Sequence, residues 1–219
     1  MRKQYYVTAF VFVIYMNAIF AGEKIRLYKE FTSGMTYSEV KNKPNVLDAS
    51  ELGIPAVRLY REVEKFAGQD WGQLFGFHDD KLTDVSLVSS VIEQYSPAVL
   101  TLANSGFSLA HMESATQELD CILLQMTETQ DVAVQAIVAF EEAALNDNHL
   151  ELLYIDDSTL EKIVPNLTGK ESSSQILAML PDTTRTVAVV VTVLEDSESI
   201  LTLSFSTPKH AMSMLTEDF

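Results

Sequence analysis

The stretch from Ala67 to Leu87, AGQDWGQLFGFHDDKLTDVSL, constrains the fold more than any other part of the chain. Phe75 and Phe77 share one face of an extended strand, and Val85 and Leu87 share one face of the next. Between them lies the polar apex His78-Asp79-Asp80-Lys81. A turn has to bring the two apolar faces to the same side of a sheet, and a shift of one residue would turn one set to the wrong side. Loops of three or five residues keep that parity, so the spacing predicts a hairpin with such a loop around Asp80.

The chain has 219 residues, and its beginning reads as a secretory signal peptide rather than as part of the fold. Arg2 and Lys3 are followed by an apolar run from Tyr5 to Phe20, then by the small Ala21 and the charged Glu23 and Lys24. The rival reading is a retained membrane anchor, but the apolar run is only about 17 residues, the lower limit for a span. Cleavage after Ala21 leaves no further stretch apolar enough to cross a bilayer, and predicts a secreted, periplasmic protein. The formal charge of −16 opposes binding to nucleic acid or to an anionic membrane surface and permits a basic partner. The acids are scattered along the chain, which reads as a solvated acidic surface. Cys121 is the single cysteine, so no intramolecular disulfide forms, and its apolar neighbours predict a buried, inert thiol.

Along the remaining chain, Ile25 to Tyr28 reads as a short strand. Thr36 and Glu39 have capping-box spacing ahead of a short helix that stops before Pro44. Val57, Leu59, Val63 and Phe66 suit a strand leading into the hairpin. Ser90 to Thr101 reads as a helix in which Pro97 either breaks the run or begins a second turn, and Phe107 to Met112 as a strand. Leu119 to Met126 is ambiguous between strand and helix. Asp131 to Asn146 reads as a helix with Val132, Gln135, Ala136, Ala139, Phe140 and Ala143 on one face. His149 to Ile155 reads as a strand, followed by capping boxes at Ser158/Glu161 and Ser172/Gln175. Arg185 to Leu194, RTVAVVVTVL, is apolar on both faces and belongs inside a sheet, paired through the turn Asp196 to Ser199 with Ile200 to Phe205. The end from Met212 to Phe219 reads as frayed. The fold class is α+β, with antiparallel sheets and short capped helices on one face. It divides into a unit at 22–95 and a second unit at 96–219 that ends in a hairpin.

Gly34, Met35, Thr36, Glu39 and Val40, followed by Phe75, Phe77, Leu82, Val85 and Leu87, resemble the motif of a β-lactamase-inhibitor-like (BLIP-like) domain of the SmpA/OmlA type. The resemblance covers about residues 31–89. It implies helices packed on an antiparallel sheet and action through contact with another protein. Two departures set this chain apart: it lacks a cysteine for lipid attachment after the signal segment, and a long further region follows.

No catalytic motif is present: there is no G-x-S-x-G elbow, phosphate loop or H-E-x-x-H helix. His78, His111, His149 and His210 have no metal-ligand spacing, so neither a metal nor a cofactor is expected. Asp79-Asp80 and Asp156-Asp157 read as turn chemistry, and Asn166-Leu167-Thr168 fits a glycosylation acceptor. The candidate interaction residues are Trp71, Phe75, His78, Asp79, Asp80 and Lys81. Trp71, Phe75 and Tyr60 read as core before surface, with Trp71 the most exposed. The leading expectation is a non-enzymatic protein-binding module, an inhibitor or envelope assembly factor, whose partner is another envelope or secreted protein. The alternatives are an acidic immunity or inhibitor protein matched to a basic toxin or wall hydrolase, and an envelope enzyme with His111 or Cys121 lining a cleft.

Overall fold

The computed structural model describes residues 24–49, 53, 57–194 and 198–208. The expected signal segment, the frayed end from Met212 and the turn residues Asp196 and Ser197 lie outside them. The chain opens with a small hairpin, β1 (Arg26–Tyr28) and β2 (Phe31–Thr32), and a short helix α1 (Tyr37–Lys41). Next come β3 (Leu47–Asp48), β4 (Val57–Phe66), β5 (Gln69–His78) and β6 (Lys81–Ser89). A 3-10 turn at Ile92–Gln94 leads into α2 (Tyr95–Asn104), then β7 (Phe107–Ser114) and β8 (Glu118–Asp120). Two helices, α3 (Cys121–Thr127) and α4 (Gln130–Asn146), precede β9 (His149–Asp156). The chain continues through α5 (Asp157–Ile163), α6 (Ser173–Met179), β10 (Thr186–Val193) and β11 (Ser199–Ser206).

Nine of these strands form one sheet in the order β3-β4-β5-β6-β11-β10-β9-β7-β8, with every neighbouring pair antiparallel. The stretches expected as separate units therefore contribute to the same sheet, joined where β6 pairs with β11. Both edges are short, β3 with two residues and β8 with three. Short edge strands offer little backbone for another chain to pair with.

Alternation along the central strands decides what covers each face. Leu150, Leu152 and Tyr154 of β9 and Val187, Val189 and Val191 of β10 enter the main core, which continues through Phe75, Val85 and Leu87. Leu27, Phe31, Val40, Ala98, Leu102 and Ala144 cover that core from β1, β2, α1, α2 and α4. The alternate residues Leu153 and Ile155 enter a second cluster with Leu160 of α5 and Ile176 and Leu177 of α6. Helices thus lie on both faces, not on one as expected. The reason lies in β9 and β10 themselves, whose second faces also carry apolar residues that need cover.

The helix ends follow local chemistry. Thr36/Glu39 and Ser172/Gln175 both form reciprocal capping boxes. The third expected box, at Ser158/Glu161, gives way to Asp156, whose carboxylate accepts from the Thr159 N–H and from the hydroxyls of Ser158 and Thr159. A carboxylate at a helix start accepts charge-assisted hydrogen bonds and suits the positive end of the helix dipole. The ambiguous stretch at 119–126 is both things in turn: β8 runs to Asp120, whose side chain then caps α3 by accepting from the Leu123 N–H at 2.8 Å. Helix α4 turns a different face inward from the one expected. Ala133 and Ala144 are buried and Ile137 and Phe140 pack against the core, while Val132, Val134 and Val138 are exposed. This helix is apolar nearly all round, so periodicity alone does not choose its face; the alanines allow the closest approach to the sheet.

One core position conflicts with its surroundings. Gln73 alternates with Trp71 and Phe75 on the core face and is 0 % exposed, and neither its amide oxygen nor its nitrogen has a partner among the described residues. An unsatisfied buried amide costs about 1–3 kcal/mol. Gln73→Leu, close to it in volume, should therefore raise stability by about 1–2 kcal/mol. A higher urea midpoint at unchanged slope is the expected result; a fall would show that the amide is satisfied in solution.

Candidate functional site

The turn between β5 and β6 holds four of the six residues picked out from sequence. It has only two residues between the strands, Asp79 and Asp80, with φ of 48° and 61°. This is the left-handed conformation that a tight hairpin turn demands and that Asp tolerates. The expected longer loop is absent because a bulge restores the parity instead. Phe77 pairs with Leu82 and Gly76 with Asp84, leaving Thr83 as the extra residue and Phe75 opposite Val85. Gly76 lies under the Asp84 side chain: a Cβ there would come within 1.9 Å of the Asp84 carboxylate and displace it.

The turn is clasped from the side by the start of α1. Gly34 N–H donates to the Leu82 carbonyl at 2.9 Å, Leu82 N–H to the Met35 carbonyl at 2.8 Å, and Thr36 bridges Lys81. Arg58 Nη1 donates to Asp80 Oδ1 at 2.8 Å while its guanidinium lies 4.4 Å from the centre of the Tyr37 ring. The two halves of the motif that carries the family resemblance thus meet at this clasp. Asp80 has its charge matched by Arg58, and His78, Asp79 and Lys81 are exposed, with His78 Nε2 3.5 Å from Asp79 Oδ2 and the Asp79 side chain 90 % exposed.

The two aromatic candidates lie elsewhere. Trp71, expected to be the most exposed, is 1 % exposed; its Nε1 donates to the Phe66 carbonyl at 3.2 Å and its ring meets the Phe66 ring edge-on. Phe75 is fully buried against Phe31, with ring centres 4.7 Å apart. Phe75 holds the sheet to the β1–β2 hairpin and Trp71 packs against the end of β4, so neither presents a surface. Tyr60 is half-buried, paired between Leu47 and Leu74.

A second constellation went unread in the sequence. Glu118 of β8 is opposite Glu113 of β7, which is opposite Glu151 of β9. Three glutamates therefore stand in one row across three strands. Alternation places Glu151 on the same face as Leu153 and Ile155, beyond the cover of α5 and α6. Asp120 and His111 occupy the adjacent row, with His111 buried and its Nε2 4.0 Å from Glu113 Oε2. Like charges directly opposite on neighbouring strands destabilise a sheet. Burial, followed by the Glu113 charge, pushes the Glu151 carboxyl up to about 7. The usable sequence signal was the distribution of cations: residues 82–161 contain fourteen Asp and Glu and not one Lys or Arg. The acids are scattered, but the bases that would balance them are missing from this whole region.

The two groups weighed for catalysis, His111 and Cys121, are both buried. Cys121 is fully buried, and burial with the neighbouring Asp120 charge raises its thiol to about 12, so it is protonated at neutral pH. Among the described residues, no group of three or more His, Cys, Asp or Glu is arranged to hold a metal ion, and no helix is long and apolar enough to cross a membrane. The chain matches no protein-family model, no curated protein and no solved structure.

The glutamate row makes stability depend on pH in a defined sense. The folded-state pKa of Glu151 lies above its ordinary value of 4.5, so the folded protein holds this proton more tightly than the unfolded chain. The resulting stabilisation is complete below about pH 4.5 and is lost as pH rises through about 7. Glu151→Gln should remove this loss, leaving the variant more stable than the parent at about pH 8 by about 1–3 kcal/mol, after allowance for partial solvent screening. Urea unfolding at about pH 5 and about pH 8 measures it; equal pH slopes for the two proteins would contradict the assignment.

Proposed function

We propose that this is a secreted, periplasmic, non-enzymatic protein-binding module of the BLIP-like type, which docks a basic protein against the acidic face formed by β8, β7 and β9. The observation that carries this reading is the row Glu118–Glu113–Glu151, held in register within a region that contains no Lys or Arg. Stacked carboxylates work against folding, and nothing in the packing requires them. A cationic partner would relieve that repulsion on binding. Complementary charge steers a partner into place and rejects partners of the wrong sign. This favours an inhibitor or immunity role over an assembly factor. The sheet face is preferred to the β5–β6 turn because the turn carries charges of both signs and Asp80 is already paired with Arg58.

In-cell crosslinking and capture of tagged residues 22–219 from the envelope fraction of the native host tests the proposal. The expected partner carries net positive charge and binds more weakly as salt is raised. The triple variant Glu113→Gln, Glu118→Gln, Glu151→Gln should weaken binding by about ten-fold or more. It should still fold, since it removes a repulsion. Replacing Asp79 and Lys81 with Ala should leave binding unchanged. A partner lost with the turn variant and retained by the triple variant would overturn the face assignment, and an acidic partner would overturn the charge argument.

A further inference from the structure

The cations of this acidic protein are not spread evenly. Between residues 96 and 194 the only basic side chains are Lys162, Lys170 and Arg185. Two of these, Lys162 and Arg185, line a single open cavity of about 450 Å³ together with Lys24 and Arg26 from the first strand and the residues before it. Lys29, Lys41, Arg58, Arg61 and Lys65 each pair with a carboxylate. By contrast, the four cavity cations share one lining carboxylate, Asp156, on which Arg185 acts electrostatically, while Lys24 acts on Glu39.

One carboxylate, Asp156, also lines the cavity, but its oxygens are already used. Oδ1 accepts from the Ser158 hydroxyl at 2.6 Å and the Thr159 N–H at 3.2 Å. Oδ2 accepts from the Thr159 hydroxyl at 2.9 Å and the Arg185 N–H at 3.1 Å. In return the Asp156 N–H donates to the Arg185 carbonyl at 3.2 Å. Asp156 therefore serves as a helix cap and a backbone clamp, and its charge offsets part of that of Arg185. The clamp fixes the backbone of Arg185, and its guanidinium lies 4.9 Å from the centre of the Phe107 ring. An arginine positioned in this way loses little freedom when it grips an oxyanion with its fork of N–H donors.

Four cations against one carboxylate leave the cavity lining with a net charge of several positive units, which a singly charged ion does not neutralise. We propose that this cavity binds a small, soluble, multiply charged oxyanion of the diphosphate class, with Arg185 and Arg26 supplying hydrogen bonds and Lys24 and Lys162 supplying charge. The site is built from β1, α5 and the entry to β10. It shares no residue with the glutamate row, so either assignment can fail without the other.

Isothermal titration of inorganic pyrophosphate into residues 22–219 tests it. Saturable binding at one site per chain is expected. Lys162→Gln and Arg26→Gln should each weaken it by about ten-fold, and Lys65→Gln, in an ion pair elsewhere, by less than about two-fold. Both cavity positions are at the surface, and unchanged urea midpoints would show that the variants fold. Pyrophosphate should also raise the melting temperature of the parent and not of the Lys162→Gln, Arg26→Gln double variant. Absence of binding at millimolar pyrophosphate would overturn the proposal. So would equal weakening by Lys65→Gln, or equal affinity for chloride at the same ionic strength, because either would reduce the effect to general charge attraction.

Discussion

Everything in this molecule depends on the seam between β6 and β11. Val85 pairs with Phe205, Leu87 with Leu203 and Ser89 with Leu201, and across this line a meander of four strands joins a group of five strands through β11, which follows more than 100 residues after β6. The seam is sealed on both faces. On the core side Phe205 packs against Tyr28 and Phe66, with ring centres 4.8 and 6.2 Å away, so the opening hairpin and β4 both rest on the last strand. On the other side the hydroxyls of Ser86 and Ser204 meet at 2.8 Å and are buried. Without this pairing each group would present a long unpaired edge, whereas the completed sheet ends in strands of two and three residues.

Much of this was legible from local pattern, because local pattern decided it. The both-sided apolar run at 186–193 could only be an interior strand, and it lies between β9 and β11. Thr36/Glu39 and Ser172/Gln175 are reciprocal hydrogen-bond pairs within one turn of chain, so spacing alone identified them. What was not legible depended on choices between equivalent local solutions. The β5–β6 hairpin satisfied its parity by a bulge at Thr83 instead of by a longer loop, and both solutions suit the same alternation of residues. Helix α4 offered several apolar faces, and only the shape of the sheet below selected Ala133 and Ala144. The pairing of β6 with β11 rather than with an earlier strand leaves no trace in either segment.

The candidate sites show the same division. Polar turn residues were visible because turns have a composition, and His78, Asp79 and Lys81 are indeed exposed. Trp71 and Phe75 were visible as aromatics, but their burial follows from what lies above them, Phe66 and Phe31, which sequence does not connect to them. The glutamate row is spread over three strands, and cross-strand register cannot be read from one strand at a time. The cation-lined cavity gathers residues from positions 24 to 185. In both cases the sequence held the clue in its gaps, since one region lacks cations altogether and the few that follow converge.

The position of β11 at the end of the described fold has a consequence in time. A ribosome releases β6 long before β11, so for most of synthesis β6 has one neighbour, β5, and its other side stays open. Non-local pairings of this kind close late, after the chain entropy of the intervening loop has been overcome. The sheet therefore cannot be completed stepwise from the beginning of the chain. It waits, half-built, for Ser199–Ser206 to arrive, and a chain cut short ahead of Ser199 would keep β6 and β10 as open templates for other strands.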